Sequence, residues 1–433
     1  MAPPVLAALL LSLLPLADGL NSRAFKRSAS GIPVEVRELV NNPDVVKAIP
    51  DSYMFVFKPD TSQVDLEAMH KSFGAKVKIR NVQKRSIDGR LLSDKVEACS
   101  INSWHAMRVE CEPDVVRELA ENPHVKAIEA NSVFEIPEMP SADPILKRQT
   151  ERDVPCKPER RNKLTVQASG NPCMICVLDT GVNSHSEFGN RLLKGKNFTK
   201  DPTTNDTNGH GTHVAALAAG ATISEAPNCM ILPIKILGGD GKGDVMDIAR
   251  GLKFCRDTMT AMNMTSATAN LSMGGQRSLC VNAAIDEVAK AGVVPVTAAG
   301  NEHMDARTAS PASAAASIAV GAVNSNNTIA SFSDFGPKVQ IFADGVDVCS
   351  ASNKNPDSFR AISGTSQACP QVAAQVAIKL SQDKSRSPPN SIDILASIQE
   401  DARKAGSKVE PKADGNLGIA GAEPFVLASL NAI

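Results

Sequence analysis

Three short stretches hold side chains able to move a proton or attack a carbonyl carbon. Val177-Leu178-Asp179-Thr180-Gly181 puts a carboxylate where an apolar run stops and a glycine permits a turn. Asn208-Gly209-His210-Gly211-Thr212-His213 puts an imidazole, flanked by glycines, at the entry to a stretch rich in Ala, Leu and Gly. Ile362-Ser363-Gly364-Thr365-Ser366-Gln367-Ala368-Cys369-Pro370 puts a hydroxyl at a helix start, where free N–H groups favour developing negative charge and a proline is tolerated. Singly, each has a structural explanation: a turn-capping Asp, a buried His, an N-cap Ser. Asp-Thr-Gly also suits a carboxylate pair sharing a proton, but no second Asp-Thr-Gly or Asp-Ser-Gly occurs. His210 and His213 lack the Glu of a His-Glu-x-x-His zinc motif, so no metal is expected there and His213 reads as structural. Together the stretches supply carboxylate, imidazole and hydroxyl in the order Asp, His, Ser, one of the chain orders in which a proton-relay triad occurs.

Such residues need a scaffold, and the apolar runs provide one. Met174 to Leu178, Met230 to Leu237, Ala267 to Met273, Val293 to Ala299 and Ser317 to Val323 read as buried parallel strands. Helical stretches are expected at Thr212 to Ala221, Val245 to Thr258, Val281 to Ala291 and Thr365 to Leu380. This alternation implies an α/β domain with a mostly parallel sheet covered on both faces, and ligands at the carboxyl ends of the strands. Upstream, strands at Ser52 to Lys58, Ala75 to Ile79, Ala106 to Cys111 and Val125 to Ile136, with helices at Val64 to Phe73 and Pro113 to Glu121, give a βαββαβ order. That is a small α+β, ferredoxin-like plan. Val36-Arg37-Glu38-Leu39 and Val116-Arg117-Glu118-Leu119 are identical, but two copies are too few for a solenoid. From Glu138 to about Lys163 the chain is Pro-rich and charged, with Lys147-Arg148 and Arg160-Arg161, as an exposed connector would be.

Composition narrows the function further. Lys and Arg number 46 against 47 Asp and Glu, leaving a net charge of −1, so neither nucleic acid nor an anionic membrane is an expected partner. Aromatic residues are 3% of the 433, with one Trp and one Tyr, so the core must rest on aliphatic side chains. Val5 to Leu16 is apolar and followed by Ala17-Asp18-Gly19, which reads as a secretory signal over 1–19; the run is too short for a bilayer span. Residues 20–50 read as a pre-segment with Lys26-Arg27 as a processing pair. A chain with such a signal is expected to be secreted and extracellular, or held in a vacuole or another secretory-path compartment, where ten cysteines imply disulfides whose pairing spacing alone does not choose; Cys173-x-x-Cys176 reads as structural.

Asp179-Thr180-Gly181, His210-Gly211-Thr212-His213 and Gly364-Thr365-Ser366 resemble the three active-site motifs of subtilisin-like serine proteases, closest to the proteinase K group. The resemblance covers about Cys173 to Leu380 and implies a subtilisin-like three-layer peptidase domain over 140–433, preceded by an inhibitory propeptide domain over 51–139. It implies that His210 takes the Ser366 proton, Ser366 attacks the scissile carbonyl and Asp179 holds the imidazole. Asn301 and the Ser366 N–H would hold the oxyanion. Gly241-Lys242-Gly243 and Leu271-Ser272-Met273-Gly274 would pair with an extended substrate, and Ala298-Ala299-Gly300 would wall its pocket, with Met273 and Val245 making the pockets apolar and nothing acidic marking them. Partners on this reading are protein or peptide substrates and the chain's own propeptide, whose tail Phe134 to Met139 would occupy the cleft after autocleavage between Ile136 and Lys147. A monomer is expected, with no cofactor in the chemistry.

The chain departs from that family at several points. Gln367 stands where relatives carry Met, Gln371 where they carry His, and Ala216 where the His motif continues with Gly. Gln340 replaces the Asp of a calcium site, and a neutral amide is a poorer calcium ligand. The tryptophan-bearing segment usual before the first motif is not recognisable between Pro140 and Cys173. Sequons at Asn197, Asn205, Asn263 and Asn326 are glycosylation candidates, whereas Asn270, in a buried strand, is expected unmodified. The altered residues after Ser366 leave one alternative: a self-processing, protease-fold binding protein that keeps its propeptide.

Overall fold

The computed structural model describes residues 32–137, 154–158, 172–383 and 388–409. The signal stretch, Lys26-Arg27, Lys147-Arg148 and Arg160-Arg161 lie outside the described residues. The amino-terminal unit is an antiparallel sheet in the order Glu97–Ile101, Trp104–Glu110, Ala48–Phe57, Val125–Glu135. Alternation along its strands divides the side chains. Tyr53, Phe55 and Phe57 meet the helices Gln63–Arg80 and Pro113–Ala120, while Met54 joins Cys99, Ile101 and Trp104 against the larger unit. The βαββαβ order is present, but the strand expected at Ala75 to Ile79 is helix. Leu66, Met69, Phe73 and Val77 make a continuous buried stripe at helical spacing, and Ile79 is left exposed. The strand itself lies at Glu97–Ile101. Ile32, Val36, Val40 and Val45, from the expected pre-segment, pack into the same core.

The larger unit centres on a seven-stranded parallel sheet, ordered Val339–Asp344, Ile318–Val323, Val293–Ala298, Ala267–Leu271, Met174–Asp179, Met230–Lys235, Lys196–Asn197. Consecutive side chains of Met174–Asp179 serve opposite faces. Met174, Cys176 and Leu178 pack with helix Val245–Ala261, and Ile175 and Val177 pack with helices His210–Ala219 and Thr365–Gln382. Helix Leu279–Lys290 shares the first face. Strand Val339–Asp344 and helix Ser391–Lys404 complete the unit; both escaped the sequence reading. Disulfides join Cys156–Cys349, Cys173–Cys229 and Cys176–Cys255, so the Cys-x-x-Cys pair is split between two structural bridges. Cys99, Cys111, Cys280 and Cys369 are free and buried.

The two units share one apolar cluster, and polar groups fix their register. The Glu129 carboxylate accepts from Ser278 Oγ (2.7 Å), Leu279 N (2.8 Å) and Cys280 N (3.2 Å), capping helix Leu279–Lys290 from outside its own unit. Arg108 pairs with Asp244 and Glu97, and Asp244 caps helix Val245–Ala261 through Met246 N and Asp247 N. Among the described residues no helix is long and apolar enough to cross a membrane.

Candidate active site

Asp179 ends its strand at the carboxyl edge of the sheet, fully buried. Its Oδ1 accepts from Thr180 N (2.7 Å) and from His210 Nδ1 (2.8 Å), and Oδ2 lies 3.0 Å from the same ring nitrogen. A carboxylate only accepts, so Nδ1 carries the proton and Nε2 presents its lone pair. That Nε2 is buried and has no hydrogen-bond partner among the described residues. Helix His210–Ala219 reaches this close because Gly211 has no Cβ; one added there would lie 2.1 Å from the Gly181 carbonyl oxygen.

Asp206, which the sequence reading passed over, holds this corner. Its Oδ1 accepts from Thr180 Oγ1 (2.8 Å) and Gly209 N (2.6 Å), and Oδ2 accepts from Thr212 N (2.8 Å) and Thr212 Oγ1 (2.6 Å). Lys235, also missed and 1% exposed, donates to the Thr180 carbonyl at 2.7 Å. His213 behaves as expected of a structural residue. Its Nε2 faces the Val348 and Arg360 carbonyls at 3.1 Å each, and burial holds its pKa well below the usual imidazole range.

Ser366 opens helix Thr365–Gln382 and is 2% exposed. Its Oγ donates to the Ser272 carbonyl at 3.0 Å, and Ser272 Oγ donates back to the Ser366 carbonyl at 3.0 Å. The hydroxyl is therefore turned toward Ser272 and is not bonded to His210. Asn301 is clamped from the other side: its Oδ1 accepts from Thr365 N (2.9 Å) and Thr365 Oγ1 (2.8 Å). This aims the amide Nδ2 outward, where it donates to the Pro137 carbonyl at 3.2 Å.

Pro137 belongs to the amino-terminal unit, and the residues before it lie in an extended track. Val125–Glu135 continues as a strand between the two segments named from sequence, pairing Phe134 with Gly243 and Glu135 with Lys242. Glu135 N donates to the Gly274 carbonyl and Gly274 N to the Glu135 carbonyl, both at 2.9 Å, and Ile136 N donates to the Gly241 carbonyl at 3.1 Å. Phe134 is fully buried against Gly275. Of the second segment only Gly274 meets the extended chain. The side chains of Leu271 and Met273 are core, and the Ser272 carbonyl accepts from Ser366 Oγ. Val245 likewise packs in the core at the start of its helix.

Beyond Pro137 lies a cavity of about 360 Å³ lined by Ala298, Ala299, Gly300, Met304, Glu302 and Asp334. Two carboxylates here overturn the expectation that nothing acidic marks the pockets. Burial raises the Asp334 carboxyl to about 7 and moves Glu302 in the same direction. Gln340 Oε1, neutral, already accepts from Ala319 N at 2.8 Å. Of the sequons, Asn205, Asn263 and Asn326 are exposed. Asn197 is tied down, its amide donating to the Asp201 (2.8 Å) and Thr203 (3.0 Å) carbonyls, and Asn270 is fully buried.

Comparison with known proteins agrees with this geometry. Residues 170–416, more than half of the chain, match the subtilase family. Subtilisin-like protease 1 of Pseudogymnoascus destructans is 32% identical over 395 residues, covering 89% of this chain and 93% of that protein. A cuticle-degrading serine protease of Arthrobotrys oligospora is 38% identical over 231 residues, 52% of this chain and 56% of that one. The crystal structure of a cold-adapted subtilisin-like serine proteinase aligns with a TM-score of 0.53 at 29% identity, covering 66% of this chain and 97% of its own. The strand order, the Asp179–His210 pair and these matches together place the chain in the subtilase family of serine endopeptidases.

Proposed function

We propose that the chain is a secreted zymogen that cuts its own Pro137–Glu138 bond and afterwards hydrolyses other polypeptides. The observation that carries this reading is the Pro137 carbonyl resting on the Asn301 amide while Glu135 and Ile136 are bonded to Gly274 and Gly241. An acyl group about to be attacked needs that placement: extended backbone fixed on both sides, with its carbonyl oxygen against a donor.

The chemistry then follows from the residues present. Ser366 Oγ leaves the Ser272 carbonyl by rotation about one side-chain torsion and gives its proton to His210 Nε2. The oxygen attacks the Pro137 carbonyl carbon, and negative charge moves to the carbonyl oxygen, where Asn301 Nδ2 and Ser366 N donate to it. Asp179 stabilises the imidazolium, which returns its proton to the Glu138 nitrogen as the C–N bond breaks. Water then adds to the Ser366 ester by the same steps and frees the Pro137 carboxylate. The severed unit keeps its apolar interface and the Glu129 cap, so it stays as an inhibitor until displaced or degraded. Amino-terminal sequencing of the mature protein tests the bond: a start at Glu138 supports it, and a start beyond Lys147 with no earlier intermediate refutes it.

Asn301→Ala is expected to lower kcat by about 10²–10³-fold with little change in KM, because the lost donor acts on charge that develops only in the transition state. An unchanged kcat in steady-state assays would remove Asn301 from the oxyanion site. Gln367, buried beside the nucleophile, carries no oxidisable sulfur. Activity is therefore expected to survive mild peroxide better than in relatives with Met at that position. Residual hydrolysis after timed peroxide exposure, with mass spectrometry locating every oxidised residue, checks this.

A further inference from the structure

We infer that the cavity beside Asn301 selects a lysine or arginine side chain on the residue whose carbonyl is attacked. The inference rests on the reading above, in which the Pro137 carbonyl marks the position of the scissile bond. Residue 137 lines the cavity, but its compact ring ends there and the space beyond stays open. Its walls are apolar at Ala298, Ala299, Ala312 and Met304, which suits the aliphatic stem of a long cationic side chain. Its charge comes from Glu302 and Asp334.

Both carboxylates converge on one point. A Cβ placed on Gly300 would lie 2.2 Å from Asp334 Oδ2 and 3.0 Å from Glu302 Oε2, and Gly300 immediately precedes Asn301. Gly300 holds φ +123°, so the site accepts no larger residue there. Asp334 is 1% exposed, and its Oδ1 accepts from Glu302 N (3.1 Å) and Met304 N (2.8 Å). An asparagine oxygen could accept both of those bonds. Holding the loop therefore explains Oδ1 but does not require the acid at Oδ2, which is directed toward Gly300. Asp334 is buried, whereas Glu302 lies exposed at the rim with its Oε2 accepting from Asn301 N (2.9 Å). A buried carboxylate is unfavourable unless a cation joins it, and a substrate ammonium or guanidinium would supply one.

The amino-terminal unit already places a cation here. Lys47 lines the same cavity, pairs with Glu135, and its charge acts on Glu302. Pro137 itself needs no affinity for the pocket, because a tethered segment reacts at high effective concentration.

The charge state of the pocket sets a pH signature. Asp334 titrates at about 7, raised first by burial and then by the facing Glu302 and Asp305. Glu302 faces Lys47 and Glu135, both of which depart with the amino-terminal unit. As pH rises through about 7 Asp334 loses its proton and the pocket gains negative charge, so cation selectivity grows as pH rises.

The test uses mature wild-type protein, its active fraction counted with a fluorophosphonate probe, and peptides differing only in Lys, Arg, norleucine or Leu before the cut. Expected is a kcat/KM for Lys or Arg about tenfold or more above norleucine at pH 8.5, the size of a modest buried charge pair, with the ratio falling at pH 6. Asp334→Asn and Glu302→Gln should each lower the Lys-to-norleucine ratio. Norleucine or Leu matching Lys at pH 8.5 in wild type overturns the inference, as does a ratio unchanged in both variants. Labelled, active enzyme with an apolar preference refutes only the pocket assignment. Absence of both labelling and turnover refutes the protease reading beneath it.

Discussion

Ser366→Ala is expected to reduce peptide hydrolysis by about 10⁶-fold and to leave the 137–138 bond intact. Removing one oxygen costs the fold little. Ser272 loses a donor to its carbonyl, but the Asn301–Thr365 clamp and the helix remain. What disappears is the atom that attacks, so the loss should fall on kcat and on self-cleavage together. The intact precursor should run as one chain and keep Trp104, the sole tryptophan, buried at the interface between the units. Its fluorescence then reports retention of the amino-terminal unit without a label. If Ser366→Ala protein emerges normally trimmed, another protease makes the cut, and the pairing of Glu135 with Gly274 is substrate mimicry without self-cleavage. If precursor is cut by wild type but mature protein turns over no peptide, the altered residues Gln367 and Gln371 have produced a binding protein instead.

The fold and the motifs of the candidate site were more legible in the sequence than the cavity beside Asn301. Asp179, His210 and Ser366 lie in motifs that repeat local signals: a strand end, a helix entry bounded by glycines, a helix start. Five of the parallel strands were readable because they lie in short, mostly apolar runs bounded by turn residues, as sheets covered on both faces require. Ala75 to Ile79 misled because Ala-Lys-Val-Lys-Ile alternates like a strand, while the stripe through Val77 obeys the helical period and won through burial. Val339–Asp344 was missed because Gln340 breaks its apolar run. Asp206 gave one usable signal, a carboxylate four positions before His210 with only neutral residues between them. Glu302 and Asp334 gave none. They are 32 positions apart, and only the return of the chain past Phe332 puts Asp334 under the loop that begins at Gly300.

Asp179→Asn is expected to lower kcat by about 10⁴-fold, or ~5.5 kcal/mol of transition-state stabilisation, while KM changes little. The argument turns on which ring nitrogen of His210 carries the proton. Asp179 is fully buried and offers His210 Nδ1 only acceptor oxygens, at 2.8 and 3.0 Å, so Nε2 is free to take a proton. An asparagine keeps the shape, and its oxygen is claimed by Thr180 N, which now approaches Oδ1 at 2.7 Å. The amide then presents N–H groups to Nδ1. The imidazole must answer with the other tautomer, placing hydrogen on Nε2, where it can no longer accept from Ser366. The bonds that hold Glu135, Ile136 and Pro137 on Gly274, Gly241 and Asn301 are untouched, so on the proposed reading binding should persist while turnover collapses. Self-cleavage should slow in step, so precursor accumulates and matures over much longer times instead of being blocked as in Ser366→Ala. A fall of less than tenfold would mean that the Asp179–His210 hydrogen bond does not set the tautomer. Imidazole orientation would then have to come from the Asp206-held loop that carries His210.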